Sequence, residues 1–214
     1  MEHVERVVVE GVEFEAALTV RSEIGLLALH GAKEGGTAEL AHEAAARTGA
    51  TVLVFTQPTG SPVHIPSHRM SAAPGAALRT FLSHVSLAVS LHGHLRPGAA
   101  RSIFLGGANR EAALVLGRPL ALLTPAFDTV TDLELIPAGL RGLDPRNPVN
   151  LTRAGGVQVE LPLAARTSRP WKTRGAPETP PRAVADALTA GVRELAAHRP
   201  WPGPPGSPGH PTAG

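Results

Sequence analysis

Gly25-Leu26-Leu27-Ala28-Leu29-His30-Gly31-Ala32-Lys33-Glu34-Gly35-Gly36-Thr37-Ala38-Glu39-Leu40-Ala41 decides how this chain is read. The first five residues are an apolar run of the length of a buried strand. The run breaks at a glycine-rich turn and restarts as a helix at Thr37-Ala38-Glu39-Leu40. Gly36 is placed as its N-cap, Glu39 suits the positive end of the helix dipole, and Gly49 ends the helix after Arg47. Thr51-Val52-Leu53-Val54-Phe55 is the next strand. Strand, helix and strand at this spacing make a βαβ unit, so the expected class is α/β. His30 and Glu34 fall where the chain leaves the first strand. In open α/β sheets, ligands bind outside the carboxyl ends of the strands.

A second stretch repeats the construction. Val85-Ser86-Leu87-Ala88-Val89-Ser90-Leu91 is apolar and also ends in His-Gly, at His92-Gly93, with His94 two residues on. Two histidines from different strands and one carboxylate form the ligand set of many catalytic zinc sites. Glu39 is explained as a first-turn helix carboxylate, whereas Glu34 lies on the loop and can turn back to His30. Glu34 is therefore the expected ligand. The residues alone leave His92 and His94 both open. In Val157-Gln158-Val159-Glu160-Leu161, alternation puts Gln158 and Glu160 on one face. A carboxylate buried without a partner is costly, so Glu160 must face solvent or a polar cleft.

Outward from these stretches, residues 3–20 suggest a hairpin turning at Glu10-Gly11. Residues 56–75 are loop-like, and His64 and His68 are taken as loop residues. A short helix is expected from Ala76 to Leu82, and a strand over Arg101–Leu105. Asn109 should cap a helix that runs to Leu116 and stops at Gly117. A further strand is expected at Leu133–Ile136, then a polar loop to Gly156. Residues 164–181 look irregular, and an amphipathic helix over 181–198 carries Val184, Leu188, Val192 and Leu195 on one face. The organisation expected is one domain over 1–198 and a disordered Pro/Gly-rich tail over 199–214.

Composition narrows the function classes. The chain has 214 residues and no cysteine, which rules out disulfides and thiolate metal sites. No secretory leader is seen, and no apolar run reaches the ~20 residues of a membrane span, so a cytoplasmic location without membrane contact is expected. Lys+Arg number 20 against 18 Asp+Glu, and aromatic residues make up 3 %. With neither a basic face nor aromatic platforms, nucleic acid is not an expected partner.

The run from His30 to Ala41 resembles the signature of the poly-γ-glutamate hydrolase family. Further matches follow in order at Ser90–His94, Leu105–Arg110, Asn147–Asn150 and Gly155–Leu161. The resemblance spans about residues 25 to 166. It implies the fold of zinc carboxypeptidases, a mixed and mostly parallel sheet flanked by helices. It also implies zinc held by His30, Glu34 and His92, the last chosen because the family's ligand directly precedes the glycine. Glu160 takes the role of general base. The loop between His30 and Glu34 is one residue shorter than the pattern often shows. The implied reaction is hydrolysis of a γ-glutamyl peptide or polymer by water whose pKa the metal lowers to about 7. A guanidinium fork grips a carboxylate with two hydrogen bonds, so the substrate-binding residues expected are Arg110, Asn109, Asn150 and Arg166. Arg141, Arg146 and Arg153 are further candidates, and Asn109 and Asn150 also read as a cap and a turn residue. Two alternatives stand beside this: an amidohydrolase of related fold acting on a small acyl-amino acid, and a non-catalytic binding relative.

Overall fold

The chain enters its sheet through the expected hairpin. Glu2–Val9 (β1) and Val12–Thr19 (β2) pair antiparallel. The turn residues Glu10 and Gly11 both have positive φ, as a two-residue hairpin turn requires. In this computed structural model, which describes residues 2–58, 61–71, 75–168, 179–198 and 201, the elements then follow in order. They are Ile24–Ala28 (β3), Thr37–Thr48 (α1), Thr51–Thr56 (β4), Ser67–Met70 (α2), Ala76–His84 (α3), Leu87–His94 (β5), Ser102–Gly106 (β6), Arg110–Ala121 (α4), Asp128–Val130 (β7), Gly156–Pro162 (β8), Leu163–Arg166 (α5) and Arg182–Ala197 (α6). Two 3-10 turns, Ala138–Leu140 and Pro148–Asn150, interrupt the polar loop.

The strands form one sheet in the order β1-β2-β4-β3-β5-β8-β6-β7. Its centre, β4-β3-β5-β8, is parallel. β1, β2 and β6 join it antiparallel, and β7 closes the far edge parallel to β6. The fold is therefore α/β with a mixed, mostly parallel sheet, as the sequence implied. After β3 the chain crosses to β4 on one side and later to β5 on the other. This reversal opens a crevice at the carboxyl ends of β3 and β5.

Alternation along the strands sorts the core into two faces. Leu26, Val52, Val89, Val157 and Val159 pack beneath α1, α4 and α6. Leu27, Leu53, Phe55 and Ala88 pack with Phe14 of the hairpin and Phe81 of α3. Ser90, His92, Gln158 and Glu160 alternate onto this second face, beyond the end of its apolar cluster.

Three expectations change. Gly117 does not stop α4, which continues through Pro119 to Ala121. A Cβ at Gly117 would lie 3.0 Å from the Thr131 side chain, so this glycine lets the helix approach its neighbours closely. Leu133–Ile136 is a turn; the strand is Asp128–Val130, which finds a partner in β6 while Leu135 stays 70 % exposed. Trp201, placed in the tail, is buried: its Nε1 donates to the Leu195 carbonyl at 2.9 Å and its ring lies against His198. Residues 199, 200 and 202–214 of that tail lie outside the described residues, as do 169–178 of the irregular segment. No helix among the described residues is long and apolar enough to cross a membrane.

Candidate metal centre and cleft

His30 sits two residues past β3, where the chain coils instead of extending. The amides of Lys33 and Glu34 both donate to the His30 carbonyl, at 2.9 and 2.8 Å. This single turn stacks residues four apart on one side. It brings Glu34 Oε1 to 3.3 Å from His30 Nδ1, so the short loop closes without an extra residue. Thr37 anchors the turn through its amide and hydroxyl, both on the Glu34 carbonyl. Gly36 then leaves with φ 91, and a Cβ there would strike the Arg166 carbonyl at 1.9 Å.

β5 delivers the second histidine. His92 Nδ1 lies 3.2 Å from His30 Nδ1 and 3.5 Å from Glu34 Oε2. The amide of Gly93 donates to Glu34 Oε2 at 3.0 Å and fixes the carboxylate. Any side chain at Gly93 would collide with the Arg166 guanidinium, 2.4 Å from the Cβ position. That is a physical reason for glycine after this histidine.

The outer nitrogens are held as well. His30 Nε2 lies 2.7 Å from the Ile65 carbonyl, which can only accept, so the proton sits on Nε2 and Nδ1 keeps its lone pair. His92 Nε2 lies 2.8 Å from Ser90 Oγ. Metal-bound imidazoles usually have their other nitrogen anchored in this way. A tetrahedral ion with ligand bonds of ~2.0–2.1 Å spaces its ligand atoms about 3.3–3.4 Å apart. Contacts of 3.2, 3.3 and 3.5 Å among these three side chains fit that triangle. These residues could hold a divalent metal.

His64, taken as a loop residue, belongs to this neighbourhood. Its ring lies 4.4 Å from that of His30 and its Nε2 is 3.6 Å from Glu34 Oε1. His30, Glu34 and His64 form a second possible ligand group, although His64 is half-exposed. Only the folding of residues 61–66 over His30 reveals this; no local sequence signal does. Glu39 remains in the first turn of α1, outside the cleft lining.

Glu160 stands beside His92 across the β5–β8 ladder. It is buried and accepts from Gln158 Nε2 at 2.8 Å, and Asn147 Nδ2 holds the Gln158 carbonyl at 2.8 Å. Burial, with help from the Glu34 charge, pushes the Glu160 carboxyl up to about 7, against the opposing pull of His92 and Gln158. Burial also works against ionised Glu34, but its contacts with His30, His64 and His92 outweigh that and hold it far below the carboxylate range. His30 is lowered by burial. His92 is raised, because Glu34 and Glu160 overcome the burial that opposes its charge.

These groups line a cleft of about 550 Å3. None of the four residues expected to bind substrate lines it. Arg110 donates to the carbonyls of Leu105, Gly107 and Thr131. Asn109 caps α4 through the Ala112 amide and donates to the Ala154 carbonyl. Asn150 ties together Ala108, Gly142 and Asp144. Arg166 is buried behind Gly93, with bonds to the Leu161 and Gly35 carbonyls. In each case backbone groups recruit the polar side chain. Arg96, which the sequence reading passed over, does line the cleft, and among the described residues its guanidinium has no hydrogen bond or ion pair. His94 also lines it; its Nε2 contacts the Ser102 carbonyl at 2.9 Å and its Nδ1 accepts from the Arg96 amide.

A bacteriophage poly-gamma-glutamate hydrolase structure superposes with a TM-score of 0.68 at 22 % identity, covering 90 % of this chain and 94 % of that one. The zinc-free form of a protein called YNDL gives 0.63 at 22 % identity, covering 86 % and 89 %. A metallo-carboxypeptidase from Burkholderia cenocepacia gives 0.50 at 10 % identity, covering 92 % of this chain and 65 % of that one. No curated protein sequence matches. The family model described as poly-gamma-glutamate hydrolase matches residues 1–174, and with so much of the chain matched, this protein belongs to the poly-gamma-glutamate hydrolase family.

Proposed function

We propose that the protein is a zinc-dependent amide hydrolase that cleaves γ-glutamyl bonds. The observation that carries this is the triangle of His30 Nδ1, His92 Nδ1 and the Glu34 carboxylate, with the protonatable Glu160 on the adjacent strand. His30, Glu34 and His92 would hold the zinc, which would supply the charge that polarises the scissile carbonyl and makes water acidic enough to attack near neutral pH. The Ile65 carbonyl and Ser90 hydroxyl keep the two imidazoles aimed. Glu160 takes a proton from the attacking water and returns it to the leaving nitrogen. Gln158, itself held by Asn147, fixes Glu160 Oε1 and leaves the other oxygen for the proton. Arg96 at the cleft wall pairs with a substrate carboxylate. The test is turnover of zinc-loaded protein on matched γ-linked and α-linked glutamyl substrates. Cleavage of the γ-linked substrate alone is expected, and inactivity on both, with zinc bound, would refute the reading.

A further inference from the structure

The two edges of the sheet are finished differently. β7 is three residues long and offers little to pair with. β1 runs for eight residues, in unbroken register with β2 from Glu2↔Thr19 to Val9↔Val12. It carries no proline, lysine or bulge, devices that blunt an exposed edge. Val4 is 51 % exposed, and no described strand lies beyond β1. The hairpin decides which groups this edge offers. Across a two-residue turn the flanking residues, Val9 and Val12, exchange hydrogen bonds, and bonded and non-bonded pairs alternate from there. The odd-numbered residues of β1 therefore bond to β2. The amides and carbonyls of Glu2, Val4, Arg6 and Val8 point outward along the free edge.

We propose that β1 is a dimerisation edge: it pairs antiparallel with β1 of a second copy of this chain, about a twofold axis at Val4, and joins the two sheets into one. Charge selects both the partner and the register. Centred on Val4, Glu2 faces the second copy's Arg6, His3 faces its Glu5, and Val4 faces itself. Every outward amide and carbonyl from Glu2 to Arg6 is then bonded, and the axis repeats each charge pairing. Opposite charges directly across a ladder stabilise it, and like charges weaken it. Centred on Glu5 or on Arg6, the pairing would set that charge against its own copy. Centred on Val7, it would set Arg6 against Val8 and Glu5 against Val9, and no charges would meet. The side chains are free to serve a second copy. Glu5 Oε1 accepts the Ala77 amide at 2.6 Å, which leaves Oε2 on the His3 side, 4.0 Å from Nε2. Arg6 lies 3.3 Å from Glu13 on the neighbouring strand, yet its side chain stays 71 % exposed. A guanidinium has five donors, enough for Glu13 and the second copy's Glu2 together. The patch is self-complementary about one axis, so assembly closes at two chains.

The test is sedimentation velocity on the full chain, which reads the dimer dissociation constant. Wild type should form a dimer at micromolar concentration. Val4→Pro deletes only an outward amide, a loss that a free edge tolerates. It should give a monomer whose circular dichroism and melting temperature match wild type. Glu2→Arg and Arg6→Glu each set like charges opposite one another and should raise the dissociation constant about 10-fold or more. An equimolar mixture of these two variants restores both pairings and should return to the wild-type value. The mixture keeps the test decisive even where Val4→Pro melts early. Wild type that stays monomeric at about 100 μM leaves the edge to a different partner and overturns the proposal. A dimer that survives Val4→Pro uses another face and overturns it too. So does a mixture that binds no more tightly than its components, because the register is then wrong.

Discussion

Two polar clusters sit on this sheet, and they are built on opposite principles. Around Asn109, Arg110 and Asn150, side-chain donors meet backbone carbonyls: Leu105, Gly107 and Thr131 for the guanidinium, Ala154, Gly142 and Asp144 for the amides. Each of these bonds ends on backbone and ties neighbouring segments together. Around His30, Glu34 and His92, backbone groups and the Ser90 hydroxyl satisfy the outer atoms, and the inner atoms are left facing one another. Two imidazole nitrogens at 3.2 Å beside a carboxylate are a donor set that a divalent ion would satisfy at once. Polarity is common to both clusters, although Asn109, Arg110 and Asn150 are only half-buried; what separates them is whether the side chains end on backbone or face one another.

The sharpest way to break the comparison is to remove the facing atoms. His30→Ala and His92→Ala should each abolish stoichiometric zinc and lower turnover by about 10⁴-fold or more, since several kcal/mol of charge stabilisation goes with the metal. Zinc content by atomic emission and turnover on the same preparation check this. Glu34→Ala should weaken zinc far more than Glu39→Ala. His64→Ala should keep zinc near one per chain; loss there with retention in His92→Ala would make His64 the third ligand.

Next in size is Glu160→Gln, which keeps the shape and removes the proton acceptor. Turnover should fall about 10²–10⁴-fold with zinc retained. In the metal-free protein the same substitution has a pH signature. The folded carboxyl is raised to about 7 from a usual 4.5, so the folded state binds more protons between those values. The stability that wild type holds over the variant is full at low pH and should decline from about pH 4.5 to 7, then level off, by up to ~3 kcal/mol. Urea titrations at several pH values read it; a difference that stays flat or rises with pH would mean Glu160 is ionised in the fold.

Local grammar made the first half of the site legible. The apolar run to Leu29, the glycines after it and the restart at Thr37 are neighbours in sequence, so they gave β3, α1 and the position of His30 and Glu34. Glu160 was legible because period-two alternation survives in β8. The Asn109 cap was legible for the same local reason. That Arg110 and Arg166 lie off the cleft lining was not legible, because the carbonyls that recruit them come from chain brought near only by folding, Thr131 for one and Gly35 for the other. Arg96 escaped notice because its position depends on β5 running on to His94. Gly117 looked like a stop only because its tight neighbours, Thr131 and Leu105, are remote in sequence.

A smaller effect tests where the folded unit ends. Removing residues 202–214 should leave stability within ~0.5 kcal/mol, the range of neutral surface changes. Removing 199–214 takes Trp201 from its place against α6 and should cost about 1.5–3 kcal/mol, the value of burying one large apolar side chain. Thermal melts of the two truncations decide it, and equal melting temperatures would show that Trp201 contributes nothing.

The smallest effect probes the backbone-anchored cluster itself. Asn109 Oδ1 accepts the Ala112 amide at 2.9 Å and Nδ2 donates to Ala154 at 2.9 Å. Asn109→Ala removes the cap and should cost about 1 kcal/mol. Because both bonds end on backbone, and neither Asn109 nor its partners line the cleft, zinc stoichiometry and turnover per folded molecule should not change. Asn109→Ser or Asn109→Asp, which restore a capping oxygen, should recover most of the loss. If instead turnover falls while stability holds, Asn109 contacts substrate as the sequence suggested, and anchoring on backbone ceases to be a guide to which polar cluster does the chemistry.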